Sequence, residues 1–281
     1  MAEIIFITNE GRPDISSSDR LVAAELAELG FSVKGVPWGQ KADAYAGAVA
    51  IILRSNWDYP LRPDAFKTWL RSLDGLPVFN SPALVRWNLD KTYLHDLAAA
   101  GIRTPCTIEL LADSDPLRIM KDLSLSEAVI KPACGASGAL VQKVDRHSAR
   151  NWRQEVPAGY AERRFLFQEM VPEIAAGEIS MAFFDLEFSH AVLKAPATGE
   201  FRTNSRFKGQ VRRTRPAPEI IDQARAALDA LPEPPLYARV DGVQRSDGFC
   251  LFELEVNEPS FYFAEAPDAA RNFATAIAGR L

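Results

Sequence analysis

Hydrophobic residues in the first eighty positions alternate between short β-branched runs and segments with a helical repeat. Four runs are typical of buried strands: residues 4–7, 31–36, 48–53 and 78–79. Two segments carry apolar side chains at helical spacing: residues 19–29, which Gly30 ends, and residues 63–73. Strands that alternate with helices predict a parallel α/β sheet in this part of the chain.

The pattern changes after residue 101. A helix is predicted at residues 88–101 and another at residues 218–231. Between them lie short strand-like runs: residues 107–111, 128–131, 140–144, 165–170, 179–186 and 189–193. Two further runs, 237–243 and 249–256, bracket the sequence Arg-Ser-Asp-Gly at 245–248, which is typical of a hairpin turn. The second half is therefore predicted to be α+β with antiparallel pairing.

Composition and charge narrow the function classes. Apolar residues make up 47% and charged residues 25% of the chain, as in globular proteins, so disordered and fibrous classes are excluded. The net charge of −5 argues against general nucleic-acid binding, which depends on clustered cations. The three cysteines form no C-x-x-C pair, which favours a reducing cytoplasm. The longest apolar run has eight residues and the opening residues lack a cationic region, so neither a membrane span nor a signal peptide is expected.

The last predicted hairpin carries an acidic face. Because side chains alternate along a strand, Glu253, Glu255 and Asn257 share one face, while the intervening apolar residues 252, 254 and 256 take the other. Oxygen ligands suit a hard cation such as Mg²⁺, although a solvent-exposed polar face is an equal alternative. Asp241 on the partner strand joins this face only if the hairpin contains an odd-length loop or a bulge.

Two segments have the composition of phosphate-binding elements. Residues 201–215 contain six cations and no acid, and cations stabilise the charge of a transferring phosphate. A solvated basic loop and an RNA-binding segment are the alternatives. Residues 131–139 pass from a strand that ends in Lys131 into small residues, which let backbone N–H groups approach phosphate. Taken alone, such a segment is more often a simple turn.

Seven short motifs follow one another in a fixed order along the chain: N-S-P…N-L-D-K (80–91), V-I-K-P-A-C-G-A-S-G (129–138), Q-E-M-V (168–171), G-E (177–178), G-E-F-R-T-N (199–204), A-R-V-D-G (238–242) and E-V-N (255–257). In this order they resemble the ATP-grasp superfamily, in particular carboxylate–amine ligases similar to glutathione synthetase. The segments at 54–69 and 84–91 look like the cycloserine-ligase-like group, whose enzyme closes O-ureido-D-serine to D-cycloserine with ATP.

The resemblance implies an ATP-grasp fold of mixed α/β and α+β class. It divides the chain into an N-terminal Rossmann-like, pre-ATP-grasp domain (1–80), a central subdomain with the Gly-rich loop (81–167) and a C-terminal subdomain with the metal site (168–281). The implied activity is an ADP-forming ligase that joins carbon to nitrogen through an acyl phosphate made from a small amino-acid-like carboxylate. A dipeptide or amide ligase, an enzyme that tailors peptides, and a non-catalytic ATP-binding module are the alternatives. A homo-oligomer is compatible with the resemblance.

The same resemblance assigns site residues for ATP, Mg²⁺ and substrate. Residues implied in ATP binding are Lys91 and Lys131 at the phosphates, Gly135, Ala136, Ser137 and Gly138 in the loop that closes over them, Glu169, Met170 and Val171 at adenine with Leu254 beneath, and Glu178 at the ribose. Implied Mg²⁺ ligands are Asp241, Glu255 and Asn257. Implied catalytic residues, in contact with the reacting groups, are Lys194, Arg202, Asn204 and Arg239.

Substrate recognition is assigned to the segment after the third predicted strand. Arg54 is expected to pair with a substrate carboxylate and Asp58 with an ammonium group. Trp57 and Tyr59 belong to the same segment, where packing of the domain interface is the alternative role. The chain departs from the family pattern at residues 208–210, where relatives often carry two glycines, and at Asn56, where the subgroup often has a small hydroxyl residue.

Overall fold

The first eighty residues form the predicted parallel sheet, with strand order β2-β1-β3-β4. A computed structural model describes residues 1–111, 113–160 and 162–281, apart from the side chain of Ser205. The elements of this part are β1 (Ala2–Thr8), α1 (Ser17–Glu28), β2 (Phe31–Pro37), β3 (Ala50–Leu53), α2 (Pro63–Ser72) and β4 (Val78–Phe79), with 3-10 turns at Ala42–Tyr45 and Tyr59–Leu61. Because the strands are parallel, their carboxyl ends meet at one edge, where residues 54–59 begin.

The central part begins with two helices where one was predicted. The elements are α3 (Pro82–Asn88), α4 (Tyr93–Ala99), β5 (Thr107–Leu110), α5 (Pro116–Asp122), β6 (Glu127–Pro132), β7 (Gln142–Asp145) and β8 (Phe165–Glu169). The helix predicted at 88–101 is present as α4 but begins later, because the Asp90 carboxylate accepts hydrogen bonds from the backbone and hydroxyl of Thr92, which closes a turn. The sequence did not predict α3. Lys91 lies in this turn. The strands form an antiparallel sheet in the order β5-β8-β6-β7.

The C-terminal part is built on a five-stranded antiparallel sheet in the order β11-β10-β9-β12-β13. Its elements are β9 (Glu178–Phe184), β10 (Glu187–Ala195), β11 (Gln210–Thr214), α6 (Pro218–Asp229), β12 (Tyr237–Arg245), β13 (Gly248–Glu255) and α7 (Ala269–Gly279). Further 3-10 turns lie at Ser148–Arg150, Trp152–Glu155, Ala158–Tyr160, Pro172–Ala176 and Ser205–Phe207. The sequence predicted neither α5 nor α7, and it treated β11 as part of a basic loop.

The predicted hairpin is confirmed, and it contains a bulge. Arg245 pairs with Gly248 across the turn, and the register shifts between Asp241 and Gly242, so that Asp241 pairs with Glu253. Without this shift Asp241 would face Phe252. The bulge therefore meets the condition under which Asp241 joins the acidic face. It also corrects one prediction: Phe252 does not lie on the opposite face but lines the same cavity as Glu253.

The first sheet completes its core with the last helix. Ile4 and Phe6 on one face of β1 pack into a buried cluster with Phe184, Phe261 and Phe273, the last of which belongs to α7. The opposite face of the sheet packs against α2 and α3. Residues 1–80 thus share a core with the C-terminal part. Across residues 1–111, 113–160 and 162–281, no helix has the length and apolar character needed to cross a bilayer.

Candidate active site

One cavity of about 410 Å³ lies between the central and C-terminal sheets. Each of the seven motifs contributes at least one residue to its wall. Predicted site residues that line it are Trp57, Lys91, Lys131, Gly135, Ala136, Ser137, Gly138, Glu169, Met170, Val171, Glu178, Lys194, Arg202, Asn204, Arg239, Asp241 and Glu255. Residues far apart in sequence therefore meet as the resemblance implies.

Alternating charges form the floor of the cavity, where β9, β10 and β12 run side by side. Lys194 lies 3.1 Å from Glu178 and 3.3 Å from Asp241. Arg239 lies 2.8 Å from Asp241 and 2.6 Å from Glu255. Burial alone would raise the pKa of Asp241, but Arg239 and Lys194 outweigh it and hold that pKa below its usual value. The Asp241 carboxylate is therefore ionised and held between two cations.

Three carboxylates converge beside these cations. Oxygen atoms of Asp241, Glu253 and Glu255 lie within 4.8 Å of one another. Burial, opposed by Arg239 and reinforced by Glu253 and Asp241, raises the pKa of Glu255 to about 7. The Arg239 guanidinium thus offsets only part of the repulsion among the carboxylates of Asp241, Glu253 and Glu255. An all-oxygen donor set with residual repulsion fits a hard divalent cation such as Mg²⁺.

Asn257, the third predicted metal ligand, lies beside this cluster and not in the wall of the main cavity. It lines a narrow adjoining pocket with Glu253 and Glu255. The side-chain oxygen of Asn257 accepts a hydrogen bond of 3.1 Å from the amide of Asn56. The side chain of Asn56 is fully buried. Among the described residues, the Asn257 amide nitrogen has no hydrogen-bond partner. Asn56 thus contacts Asn257 and does not line the main cavity.

The two lysines predicted to contact phosphates occupy different electrostatic environments. Lys91 lies 2.9 Å from Glu253 and donates to the backbone oxygen of Gly135 at 2.8 Å. Burial alone would lower its pKa, but Glu253 outweighs burial and raises it. Lys131 donates to the neutral Gln168 at 3.0 Å, and burial lowers its pKa to about 8. Within the described parts of the chain, Lys131 therefore forms no ion pair like that of Lys91 with Glu253.

Side chains from α3, from α4 and from the segment that leads into α3 fix the edge strand β13 and the residue that follows it. The Asn88 amide donates to Leu254 O at 2.8 Å and accepts from Val256 N at 3.0 Å. Tyr93 accepts from Leu254 N at 2.9 Å. Asn80 donates to the backbone oxygen of Val256 at 2.8 Å. These side chains take the place of a further strand, so the backbone that carries Glu253 and Glu255 is held on both edges.

The other end of the cavity is apolar. Val129, Ile174 and Phe252 lie there together with Met170 and Val171, which belong to the segment predicted to hold adenine. Leu254, which the resemblance places beneath adenine, packs instead into the core with α4 and α6 and does not line the main cavity. Phe252 therefore lines the cavity where Leu254 was expected, because the bulge turns Phe252 toward the cavity.

Two loops meet over the cavity. A Cβ placed on Gly138 would lie 3.0 Å from the Phe207 ring and 3.9 Å from the Asn204 amide nitrogen. Arg202 forms an ion pair of 2.7 Å with Glu200 and stacks over Phe207, with 3.5 Å between the guanidinium carbon and the ring centroid. The Gly-rich loop and residues 201–207 therefore cover the cavity together. Thr203 anchors the second loop by donating to Glu178.

Two predicted substrate residues have partners within the protein. Arg54 is 3% exposed, lies 2.8 Å from Asp19 and stacks on Phe261. Asp58 accepts a hydrogen bond of 2.7 Å from the Trp38 indole, and its carboxylate lies 3.8 Å from Arg62. Neither lines the main cavity.

Trp57 and Tyr59 are closer to the site. Trp57 lines the main cavity and also a second one of about 510 Å³, which residues 11–19 and Arg54 enclose. Tyr59 packs on Phe66 at 5.0 Å and lines the narrow pocket beside Asn257. Trp57 thus separates the two cavities.

Two acids of the site are absent from the set that the resemblance assigned. The sequence placed Glu253 on the acidic face of the hairpin but not among the implied Mg²⁺ ligands, whereas Glu253 belongs to the carboxylate cluster. Sequence reasoning did not consider Glu258, which is buried and lines the main cavity. The position of Glu258 directly after the E-V-N motif was the available signal.

Comparisons with known proteins agree with this arrangement, which is that of an ATP-grasp ligase. A family model for the N-terminal domain of D-cycloserine synthetase DcsG matches residues 4–80. The cycloserine biosynthesis protein DcsG of Streptomyces lavendulae is 31% identical over 271 residues, which cover 90% of each chain. The crystal structure of D-cycloserine synthetase DcsG matches with a TM-score of 0.85 at 25% identity and covers 99% of each chain.

A more distant structure shows the same fold. D-alanine–D-alanine ligase from Bacillus anthracis matches with a TM-score of 0.71 at 17% identity, over 99% of this chain and 97% of that chain. The chain belongs to the family of ATP-grasp ligases that includes DcsG. The resemblance and the fold class predicted from the sequence are therefore confirmed.

Proposed function

We propose that this ligase uses ATP and Mg²⁺ to form a carbon–nitrogen bond from a small amino-acid-like carboxylate, with release of ADP. The supporting observation is the meeting of Lys91, Lys131, Lys194 and Arg239 with a carboxylate cluster in one cavity. Cations of this kind neutralise the charge of a transferring phosphate, whereas no nucleophilic side chain is required.

The chemistry follows from the weakness of a carboxylate as an electrophile. Transfer of the γ-phosphoryl group converts the carboxylate to an acyl phosphate, which has a good leaving group. An amine then attacks the carbonyl carbon, and amide and phosphate are released. Arg239 and Lys194, fixed by Asp241, are positioned to hold the anionic groups in one orientation. Their role is electrostatic.

The residues that would hold Mg²⁺ are Asp241, Glu253 and Glu255, with Asn257 beside them. When bound, the ion supplies charge neutralisation at the phosphates of ATP. The resemblance implied Asp241, Glu255 and Asn257 as ligands, and the distances between the carboxylates support adding Glu253 to this set.

The acyl phosphate must be protected from water. The Gly-rich loop and residues 201–204 both line the cavity, and Gly138 lies beside Phe207 and Asn204 where the two loops meet. Opening of this contact admits ATP, and its closure shields the intermediate. Residues 201–207 include Arg202 and Asn204, so closure also brings those side chains to the phosphates.

Among substrates, O-ureido-D-serine is the first candidate, since the relatives that match over most of the chain are named for cycloserine synthesis. Cyclisation of that compound and intermolecular ligation of another amino acid use the same activation step. They differ in the attacking nitrogen, which is the ureido nitrogen bonded to oxygen in the cyclisation and the amine of a second molecule in the intermolecular reaction. The cyclisation also has to release the carbamoyl group of the ureido substituent, which water converts to ammonia and carbon dioxide.

The decisive experiment is nucleotide product analysis with Mg-ATP and separate pools of O-ureido-D-serine, D-amino acids and L-amino acids. ADP and phosphate that appear with one pool only are expected. AMP and pyrophosphate would contradict the acyl-phosphate route. Saturable ATP binding without turnover in any pool would favour the non-catalytic module. The Asp241→Asn variant serves as the matched control for contaminating ATPases.

A further inference from the structure

Glu258 is a buried acid that the mechanism above does not use. It follows Asn257 in the segment after β13, and its residue is 7% exposed. It lines both the main cavity and the narrow pocket that contains Tyr59 and Glu255. A carboxyl group in such a position is costly unless a partner neutralises it.

Four other acids that line the cavity have such partners. Glu178 and Asp241 lie within 3.3 Å of Lys194, Glu253 lies 2.9 Å from Lys91, and Glu255 lies 2.6 Å from Arg239. Within the part of the chain that the structure describes, no lysine, arginine or histidine nitrogen lies within 4.0 Å of the Glu258 carboxylate. Glu258 is therefore the acid of this group for which the folded chain supplies no cation.

The surroundings of Glu258 indicate which molecule would supply the missing positive charge. The nearby lysine, Lys91, is engaged with Glu253 and with the backbone oxygen of Gly135. Trp57 and Ser260 line the same cavity. The carboxylate oxygens that would hold Mg²⁺ belong to Asp241, Glu253 and Glu255, and Glu258 is not a member of that cluster. The polyanionic ATP is repelled by a carboxylate, so the partner that fits Glu258 is a positively charged part of the second ligand.

We propose that Glu258 binds the amino group of the amino-acid-like substrate. This inference rests on the proposed function. It gives the substrate a direction: its carboxylate lies toward Arg239 and Lys194, where the phosphoryl group arrives, and its amino group lies toward Glu258. A charge-assisted hydrogen bond from the ammonium to Glu258 completes the pairing that the other acids already have.

The test compares Glu258→Gln with Glu219→Gln, a matched change of an exposed glutamate on α6. The probes are O-ureido-D-serine, D-alanine and their N-acetylated forms, titrated by calorimetry in the presence of a non-hydrolysable ATP analogue and MgCl₂. Steady-state ADP release is measured on the same proteins. The glutamine variant loses no protein ion pair, so it is expected to fold, which thermal unfolding verifies.

For Glu258→Gln, we expect the KM and Kd of the amino substrate to rise at least tenfold. The Kd of the ATP analogue should stay within twofold of wild type. Wild type should prefer the free amine over the N-acetyl form, and the variant should lose most of this preference. Glu219→Gln should behave as wild type.

The outcomes separate the inference from the function on which it rests. Unchanged KM and unchanged preference in Glu258→Gln, with wild-type turnover present, overturn the role of Glu258 alone. Absence of both binding and turnover with all probes in wild type overturns the proposed function, and the inference with it. An equal loss of affinity for free and N-acetylated substrates also overturns the inference, because it indicates a general structural role.

Discussion

The floor and the cover of the cavity are built in different ways. The floor consists of paired strands whose charged side chains are buried and joined to one another, as Lys194, Asp241, Arg239 and Glu255 are. The cover consists of two loops with left-handed residues in or directly beside them, Ser137 at φ 56° in the first loop and Lys208 at φ 60° directly after the second. Where the two loops meet, Gly138 lies beside Phe207 and Arg202.

This difference matches two separate requirements of the reaction. Charge neutralisation needs groups fixed before ATP arrives, which ion pairs and sheet hydrogen bonds provide. Admission of ATP and exclusion of water need a part that opens and closes, which loops provide. Changes in the floor should therefore alter turnover most, and changes in the cover should act more weakly.

The largest effect is expected from the carboxylate cluster. Glu255→Gln or Asp241→Asn should reduce ATP turnover on the order of 10²-fold, since each removes a charge that would hold Mg²⁺ and orient Arg239. Circular dichroism and thermal unfolding should report an intact fold. Turnover within threefold of wild type would contradict the metal assignment, and Glu219→Gln is the matched surface control.

Removal of a side chain that fixes the floor should have the next largest effect. Asn88→Ala leaves Leu254 O and Val256 N without their partner, which should lower the free energy of unfolding by about 1–3 kcal/mol. The Mg²⁺ concentration at half-maximal activity should also rise, because β13 carries Glu253 and Glu255. Urea unfolding and Mg²⁺ titration measure the two effects. The exposed residue Asn272, changed to alanine, should show neither.

A pH effect is expected at Lys131, whose pKa is lowered to about 8 by burial. Above that pH the amine of the nucleotide-free protein is neutral and attracts phosphate less, so ATP affinity should fall several-fold between pH 7 and pH 9. Lys131→Arg, which keeps its charge, should flatten the profile. Equal slopes in both proteins would show that another group titrates.

The same shift predicts the sign of a stability effect. Between pH 8 and the ordinary lysine pKa of 10.5, the unfolded chain holds more protons on Lys131 than the folded protein does. The free energy of unfolding contributed by Lys131 should therefore rise with pH across that window. Lys131→Met removes this contribution.

The smallest effect is expected in the cover. Lys208 adopts φ 60°, a conformation that favours glycine, so Lys208→Gly should stabilise the protein by about 1 kcal/mol or less. Its neighbour provides the contrast, since a Cβ on Gly209 would lie 2.1 Å from Thr203 O. Gly209→Ala should therefore lower the melting temperature while Lys208→Gly raises it. If the melting temperature changed in the same direction in both variants, the explanation from the backbone conformations of residues 208 and 209 would be refuted.

Much of the fold followed from local sequence patterns. The parallel sheet of residues 1–80 and the hairpin at 237–256 have strong signals in alternation and turn residues, and both are confirmed. The sequence showed only that a bulge or an odd-length loop is needed if Asp241 is to join the acidic face. Alternation of side chains alone cannot show where the extra residue lies. The later start of α4 was missed, since the apolar spacing continues through the Asp90 turn.

Predictability of the site depended on what each residue contacts. Charged residues in ordered motifs, such as Asp241 and Lys194, were placed in the cavity by resemblance to the family. Their ion-pair partners were not predictable, because these pairs join strands distant in sequence. Arg54 illustrates the difficulty: its partner Asp19 lies on α1, and nothing local shows that the guanidinium is already engaged.

The position of α7 has a consequence for biosynthesis. A ribosome releases β1 and α1 long before it releases residues 269–279, which supply Phe273 and Ile277 to the same core. During translation, the face of the first sheet that carries Ile4 and Phe6 therefore remains unpacked until α7 has been synthesised. Nascent chains halted before α7 should expose Ile4 and Phe6, bind chaperones and resist proteolysis less than full-length chains.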